Sequence, residues 1–289
     1  MDSDSDFYGD ENTASVLEAR VNNFDIESWW RNRNEGATPT PREDPKSSSF
    51  SGHLHNRYEG KPGAWQLTES VDDFLARLPP ATTNWQPGLD WIFIGNPFIP
   101  EETKHADEAF LEGGTERLRL LSSFITQTKG SGKSPYVVSR EISRARKETV
   151  QDLRELAAGC NTLSGKWMLF LEPNTVNEAW ATVARATSNN ELGTAAKVDT
   201  RLSLPSEKER LICVYTKDFR DEHDVARVLN RLRQLKLVRA GGKYIYYKCD
   251  AWTNLGIYGG NEWGIKASMY SSNEIFEYIK KKGNPPARC

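Results

Sequence analysis

The sequence predicts an α+β domain in which a curved, mostly antiparallel sheet is backed by helices on one face. Three observations carry this. Short apolar runs of strand length, WIFI at 91–94 and KWMLFL at 166–171, are interspersed with segments of helical period. The runs Gly193–Leu204 and Arg210–Thr216 are joined around Pro205-Ser206-Glu207-Lys208, a connector too short for a parallel crossover. Helices and strands are mixed without strict alternation, which fits helices on one side of a sheet better than a doubly wound fold.

The elements follow in chain order. Residues 1–60 are acidic and poor in apolar area, so most of them are expected to stay disordered. Within them Val16–Trp30 has the apolar spacing of a short docking helix that ends in Trp29-Trp30. The folded domain is expected over 61–278, with a helical insertion at about 97–162 and a basic tail at 279–289. Thr68 or Ser70 can cap the helix VDDFLARL, whose first turn carries two carboxylates and which Pro79-Pro80 ends. WIFI, closed by Gly95-Asn96-Pro97, reads as a buried strand. A helix follows from about Asp107 to Thr126 with Ala109, Phe110, Leu118, Leu121 and Phe124 as its apolar stripe. The spacer TKGSGKSP separates it from a strongly charged helix, Arg140–Ala158. KWMLFL is the next strand. Asn174 can cap a helix to about Thr187. After the strand pair, Asp221 can start a helix through Leu235 with Val225, Val228, Leu229 and Leu232 inward. KYIYYK at 243–248 is a further strand.

Charge is distributed unevenly along the 289 residues, although the net value is only −2. Residues 1–50 carry 5 basic and 11 acidic side chains, residues 51–128 carry 6 and 11, and residues 129–289 carry 27 and 18. The C-terminal half is therefore expected to face an anionic partner. No apolar run reaches the length of a membrane span, and the start, MDSDSDFYGDE, is acidic where a secretory signal is basic. A cytoplasmic or nuclear location, or both, is expected. The four cysteines (Cys160, Cys213, Cys249, Cys289) are scattered and read as reduced thiols. Of four histidines (His53, His55, His105, His223) only His53 and His55 are close, in a Ser/Gly-rich stretch with no cysteine nearby, so no zinc motif is present and no metal or cofactor is expected.

Motifs of catalysis are absent or incomplete. Gly130-Ser131-Gly132-Lys133-Ser134 imitates the end of a phosphate-cradling loop, but Gln127 stands where the first glycine belongs and the segment follows a helix. Asp72-Asp73 and Glu101-Glu102 are adjacent and point apart. His223 and Glu262 lack an identifiable nucleophile. No catalytic residue is assigned.

The aromatic inventory carries more. Nine tryptophans is a high number, and Trp65, Trp85, Trp252 and Trp263 fall in loop-like segments. A base gains roughly 1–3 kcal/mol by stacking on such a ring. Stacking works best where cations meet the phosphates, and Arg201, Lys208, Arg210 and Lys266 lie in the same half of the chain. The glycine- and aromatic-rich segment AWTNLGIYGGNEWGIKASMY is the first candidate for a ligand wall.

The run GKWMLFL, VNEAWATVARAT, RLICVYTKDFRDEHDVARVLNRLRQL and KYIYYK resembles the fold of translation initiation factor 4E, the messenger-RNA cap-binding protein. Upstream, Trp65-Gln66, Ser70–Leu78 and Pro87-Gly88-Leu89-Asp90 are similar to that family's W-Q, V-E-D-F and P-G-x-D-Y segments. The likeness spans roughly 60–250 with a large insertion between Asn96 and Leu163. WIFIGNP and the aromatic C-terminal segment look like the basophilic-leukaemia-expressed protein family (domain of unknown function 1917), which shares this fold. The resemblance implies a concave face that binds a nucleotide or single-stranded RNA. Trp65 matches the first cap-stacking tryptophan, and Tyr215 occupies the position of another pocket tryptophan. The second stacking tryptophan has no counterpart in RELAAGCNTLS at 154–164, and Asp199 falls where the strand arginine belongs, with Arg201 two residues away. These departures count against ordinary cap recognition. Leu75 replaces the tryptophan that grips the initiation scaffold, and Ala184-Arg185-Ala186 replaces the neighbouring apolar surface, so scaffold binding is not expected.

RNA or nucleotide binding is thus the expected function, with stacking by Trp65, Trp252, Trp263 and Tyr215 and phosphate contacts from Arg201, Lys208, Arg210 and Lys266. One alternative is a non-catalytic adaptor that meets a protein partner through Trp29, Trp30 or the insertion. Another is an enzyme that processes nucleotides or RNA ends.

Overall fold

The computed structural model describes residues 54–100, 107–201, 209–239 and 241–282, all within one unit, His53–Cys289. The docking helix expected at 16–30 lies outside the described residues. The first helix, α1 (Val71–Arg77), is capped by Ser70, whose side chain accepts from the Asp73 amide at 3.1 Å. Asp72 and Asp73 lie in its first turn, where the helix dipole favours negative charge. Strand β1 (Trp91–Gly95) follows. Next comes a helical hairpin, α2 (Asp107–Lys129) and α3 (Pro135–Gly159), longer at the junction than the sequence periodicity suggests. Of the stripe expected in α2, Phe110, Leu118 and Leu121 are buried, whereas Ala109 and Phe124 lie on its exposed face. The loop between them is helix–loop–helix, and Lys133 within it is paired with Glu141 at 2.8 Å. It has neither the strand nor the free lysine of a phosphate loop.

The remaining elements are β2 (Gly165–Leu171), α4 (Val176–Ser188), β3 (Ala195–Asp199), β4 (Arg210–Thr216), α5 (Glu222–Gln234), β5 (Tyr246–Cys249), α6 (Asp250–Asn254), β6 (Tyr270–Ser271) and α7 (Ser272–Lys282). Asp221 caps α5 by accepting from the amides of His223 and Asp224. The cap of α4 is Thr175 rather than Asn174, and its side chain makes no capping bond. The segment 279–289, read as a tail, begins inside α7.

The strands form one six-stranded sheet in the order β1-β3-β4-β2-β5-β6, and every pairing is antiparallel. Helices α4 and α5 pack on one face, with α1 against α4 and α7 against α5. Pleating sends alternate residues to this side. Ile92 and Ile94 of β1, Trp167 of β2, Val198 of β3 and Val214 of β4 are fully buried there. Trp167 donates its Nε1–H to the Val225 carbonyl at 3.0 Å and meets Tyr247 edge-on at a ring separation of 5.3 Å. Trp180 of α4 meets Phe74 of α1 in the same edge-on manner at 6.4 Å. A buried aromatic removes about 150–250 Å² from water, on the order of 4–6 kcal/mol before ordering costs. Among the described residues no helix is long and apolar enough to cross a membrane.

WIFI is not buried on both sides. Ile92 and Ile94 face the helices, whereas Trp91 and Phe93 are half-buried on the opposite face. That opposite face is where polar chemistry gathers.

Candidate functional site

On the face turned away from α4 and α5, the strand register places unlike residues side by side. Phe93 of β1, Lys197 of β3, Cys213 of β4, Met168 of β2 and Tyr246 of β5 form one row. Tyr215, Lys166 and Lys248 form the next, so two lysines stand directly opposite each other across β2 and β5. Like charges so placed repel, and a carboxylate, Asp250, offsets this by pairing with Lys166.

Each lysine on this face lies near aromatic rings. Lys61 Nζ is 3.8 Å from the Phe93 ring centre, Lys197 Nζ is 4.0 Å from Trp91 and 5.8 Å from Tyr215, and Lys248 Nζ is 3.9 Å from Tyr258. Such contacts are worth about 0.5–1 kcal/mol at exposed sites and about 2 when desolvated. Lys166, 5.5 Å from Tyr215, is treated differently. Its ammonium is ion-paired with Asp250 and lies 3.1 Å from Thr253 Oγ1, and Asp250 also accepts from Ser164 Oγ. Lys197 and Lys248 have no carboxylate within ion-pairing distance among the described residues.

Burial pushes the Lys197 ammonium below the usual lysine range, helped by the positive neighbours Lys166 and Lys61 and opposed by Cys213 and Asp250. Lys248 shifts the same way, first by burial and then by Lys166. Burial also raises the Cys213 thiol to about 11, which keeps it protonated and unreactive. The Tyr215 hydroxyl is raised well out of the physiological range, again by burial. The face therefore presents a half-buried cation, Lys197, a buried one, Lys248, and rings of moderate exposure.

The sequence-derived site residues distribute over several places. Tyr215 lies in the centre of the lysine face. Trp65 and Trp252 are in the hydrophobic core with 8% and 2% of their surface exposed, so neither offers a ring to a ligand. Trp65 donates its Nε1–H to the Glu69 carbonyl at 3.1 Å, and Trp252 donates to the Lys266 carbonyl at 3.3 Å. Glycine-rich context concealed the second, because Trp252 is carried by α6 and not by a loop. Trp263 is half-buried against the insertion, donating to Ser122 Oγ at 2.8 Å. Arg210 is buried and committed: Nε pairs with Asp199 Oδ1 at 2.9 Å and Nη1 donates to the Pro80 carbonyl at 3.1 Å. It ties β4 to β3 and is not available to a phosphate. Arg201 is exposed at the sheet edge, its amide bonded to the Thr83 carbonyl at 2.8 Å, beside the exposed Trp85. Lys266 is exposed and lies 3.5 Å from Glu274. Lys208 lies outside the described residues.

Sequence reasoning missed Trp91, Phe93, Lys61, Lys166, Lys197 and Lys248. One signal was present: GKWMLFL, AAKVD and YYKC each contain a single lysine inside an apolar strand. A charge in such a run ordinarily marks a solvated face, and only register shows that the three converge.

On the outer side, Arg185 of α4 reaches Asp72 of α1 at 2.8 Å. An ion pair thus stands where the resemblance would put an apolar partner-binding surface. His223 is exposed at the start of α5 and Glu262 is exposed in the segment after α6; among the described residues no group of His, Cys, Asp and Glu is placed to hold a metal. The family model of basophilic leukemia-expressed protein Bles03 matches residues 17–256, and the chain belongs to that family.

Proposed function

We propose that the lysine face binds a nucleotide or a short stretch of single-stranded RNA. The observation that supports this most strongly is the pair Lys197 and Lys248. Each is drawn partly out of water, each sits over a ring, and neither has a carboxylate partner among the described residues. A buried cation without a partner costs stability, and an arriving phosphate removes that cost. The base then takes the ring that the lysine leaves. Trp91, Phe93 and Tyr215 are the stacking candidates, and Lys61, Lys197 and Lys248 the phosphate contacts. A cap-binding-protein-like architecture, inferred from the sequence resemblance, fits the same chemistry because an aromatic base joined to phosphates needs rings and cations on one face. Ordinary methylguanine recognition is not part of the proposal, since Trp65 lacks a free ring face.

Calorimetric titration with GTP, m7GTP, AMP and a short RNA at fixed salt tests it. Saturable binding is expected, and Lys197→Met is expected to weaken it by about tenfold or more. The same variant should melt no lower than wild type, because it removes an unpaired, half-buried charge. The pH dependence has a defined sign. A phosphate raises the lowered Lys197 and Lys248 values, so binding takes up protons, and affinity falls as pH rises through their titration range. Lys197→Met should flatten that fall. Absence of saturable heat with all four ligands contradicts the proposal and favours a protein-binding adaptor.

A further inference from the structure

We infer that a second site, a groove between α3 and residues 264–270, binds a compact polyanion with adjacent phosphoryl groups. This groove is distinct from the lysine face. Its wider part has a volume of about 470 Å³ and continues through Val150, Arg154, Ile265 and Lys266 into a recess of about 200 Å³. Spacing along α3 explains the wall: Ser143, Arg146, Lys147, Val150 and Arg154 recur at intervals of three and four and share one helix face. No carboxylate lines either part.

The groove cations differ from their neighbours on the same hairpin. Arg119 is paired with Glu116, Lys133 with Glu141 and Arg144 with Glu148. Arg146, Lys147 and Arg154 pair with no carboxylate among the described residues, whereas Lys266 is paired with Glu274 at 3.5 Å. Arg146 is also seated. Its Nε donates to the Trp263 carbonyl at 2.5 Å, and Trp263 is itself held by Ser122. Gly264, at φ +64°, leaves the space that the guanidinium occupies; a Cβ there would lie 2.7 Å from an Arg146 terminal nitrogen. The guanidinium is fixed through Nε, with its terminal nitrogens left over, an arrangement suited to two oxygens of one phosphoryl group. The rings at the recess are already engaged: Trp252 is buried, and the half-buried Tyr270 packs on Tyr247 at a ring separation of 5.9 Å and donates its hydroxyl to Glu222 at 3.3 Å. The ligand chemistry is therefore a polyphosphate chain without base recognition.

Calorimetry with inorganic tripolyphosphate and with orthophosphate, on the full chain at low fixed salt, tests this. Tripolyphosphate should bind at least about tenfold more tightly than orthophosphate, because several cations are engaged at once. Arg154→Gln and Lys147→Gln should each weaken tripolyphosphate binding, the former by about tenfold. Lys133→Gln makes the same change in net charge on the same hairpin and should leave the affinity within about twofold. Lys147 is exposed, so its variant remains informative should Arg154→Gln fail to fold. Equal binding of the two phosphates, or equal losses in all three variants, would overturn the inference.

Discussion

Gly193→Ala is expected to destabilise the domain by at least about 3 kcal/mol, the largest effect of any single methyl group in the described structure. A Cβ at this position would lie 1.6 Å from the Tyr215 carbonyl oxygen and 2.8 Å from its carbonyl carbon. Both obstructing atoms are backbone, so no rotamer change relieves the overlap. The close approach has a structural purpose. The Thr194 amide donates to that same Tyr215 carbonyl at 3.0 Å, while the Gly193 carbonyl accepts from Asn96 Nδ2 and the Thr194 carbonyl from the Asn96 amide, each at 3.0 Å. One glycine thus lets three strands meet at the corner where β1, β3 and β4 begin or end. Separation of β3 from β4 there would also displace Tyr215 from the lysine face. Gly259→Ala is the control. It has no atom within 4 Å of the added methyl and no positive φ, and should change stability by less than about 0.5 kcal/mol. Chemical denaturation of the two variants checks the contrast.

Asp250→Ala is expected to cost about 3 kcal/mol, a fall in melting temperature of roughly 6–10 °C. Asp250 neutralises Lys166, whose side chain is 8% exposed, and accepts from Ser164 Oγ at the start of β2. Without it the ammonium keeps Thr253 Oγ1 and faces Lys248 across the strand pair. The loss comes from a stranded charge more than from a missing attraction. Lys166→Met combined with Asp250→Ala should therefore recover most of the stability that Asp250→Ala removes. A double variant as unstable as the single one would show that Asp250 acts through its charge in the first turn of α6 or by holding Ser164 instead.

Local signals in the sequence located most of the framework. Ser70 and Asp221 cap the helices they were expected to cap, since capping depends on residues two and three positions away. The short connector after β3 announced an antiparallel pair. The apolar stripe of Val225, Val228, Leu229 and Leu232 found α5 and its buried face. The candidate site was much less legible, because its members are neighbours by register and not by sequence. Lys197 meets Phe93 and Cys213 only because β3 lies between β1 and β4. Tryptophan accessibility was hidden for a related reason. Trp91 sits in an apolar run that looks buried on both sides, and Trp252 in a glycine-rich segment that looks open. Each belongs to the opposite class, since the helices cover only one face of β1 and α6 turns Trp252 inward. Arg210 reads as a free cation beside a loop until its long-range partners, Asp199 and the Pro80 carbonyl, are seen.

The lysine face is tested most directly by following the indole N–H signals of the nine tryptophans by NMR during titration with GTP and with a short RNA. Trp91, 4.0 Å from the Lys197 ammonium, should shift and saturate with ligand, while the buried Trp167 and Trp180 stay in place. Saturable shifts confined to Trp252 or Trp263, or none at any tryptophan, would contradict the assignment of the ligand to this face.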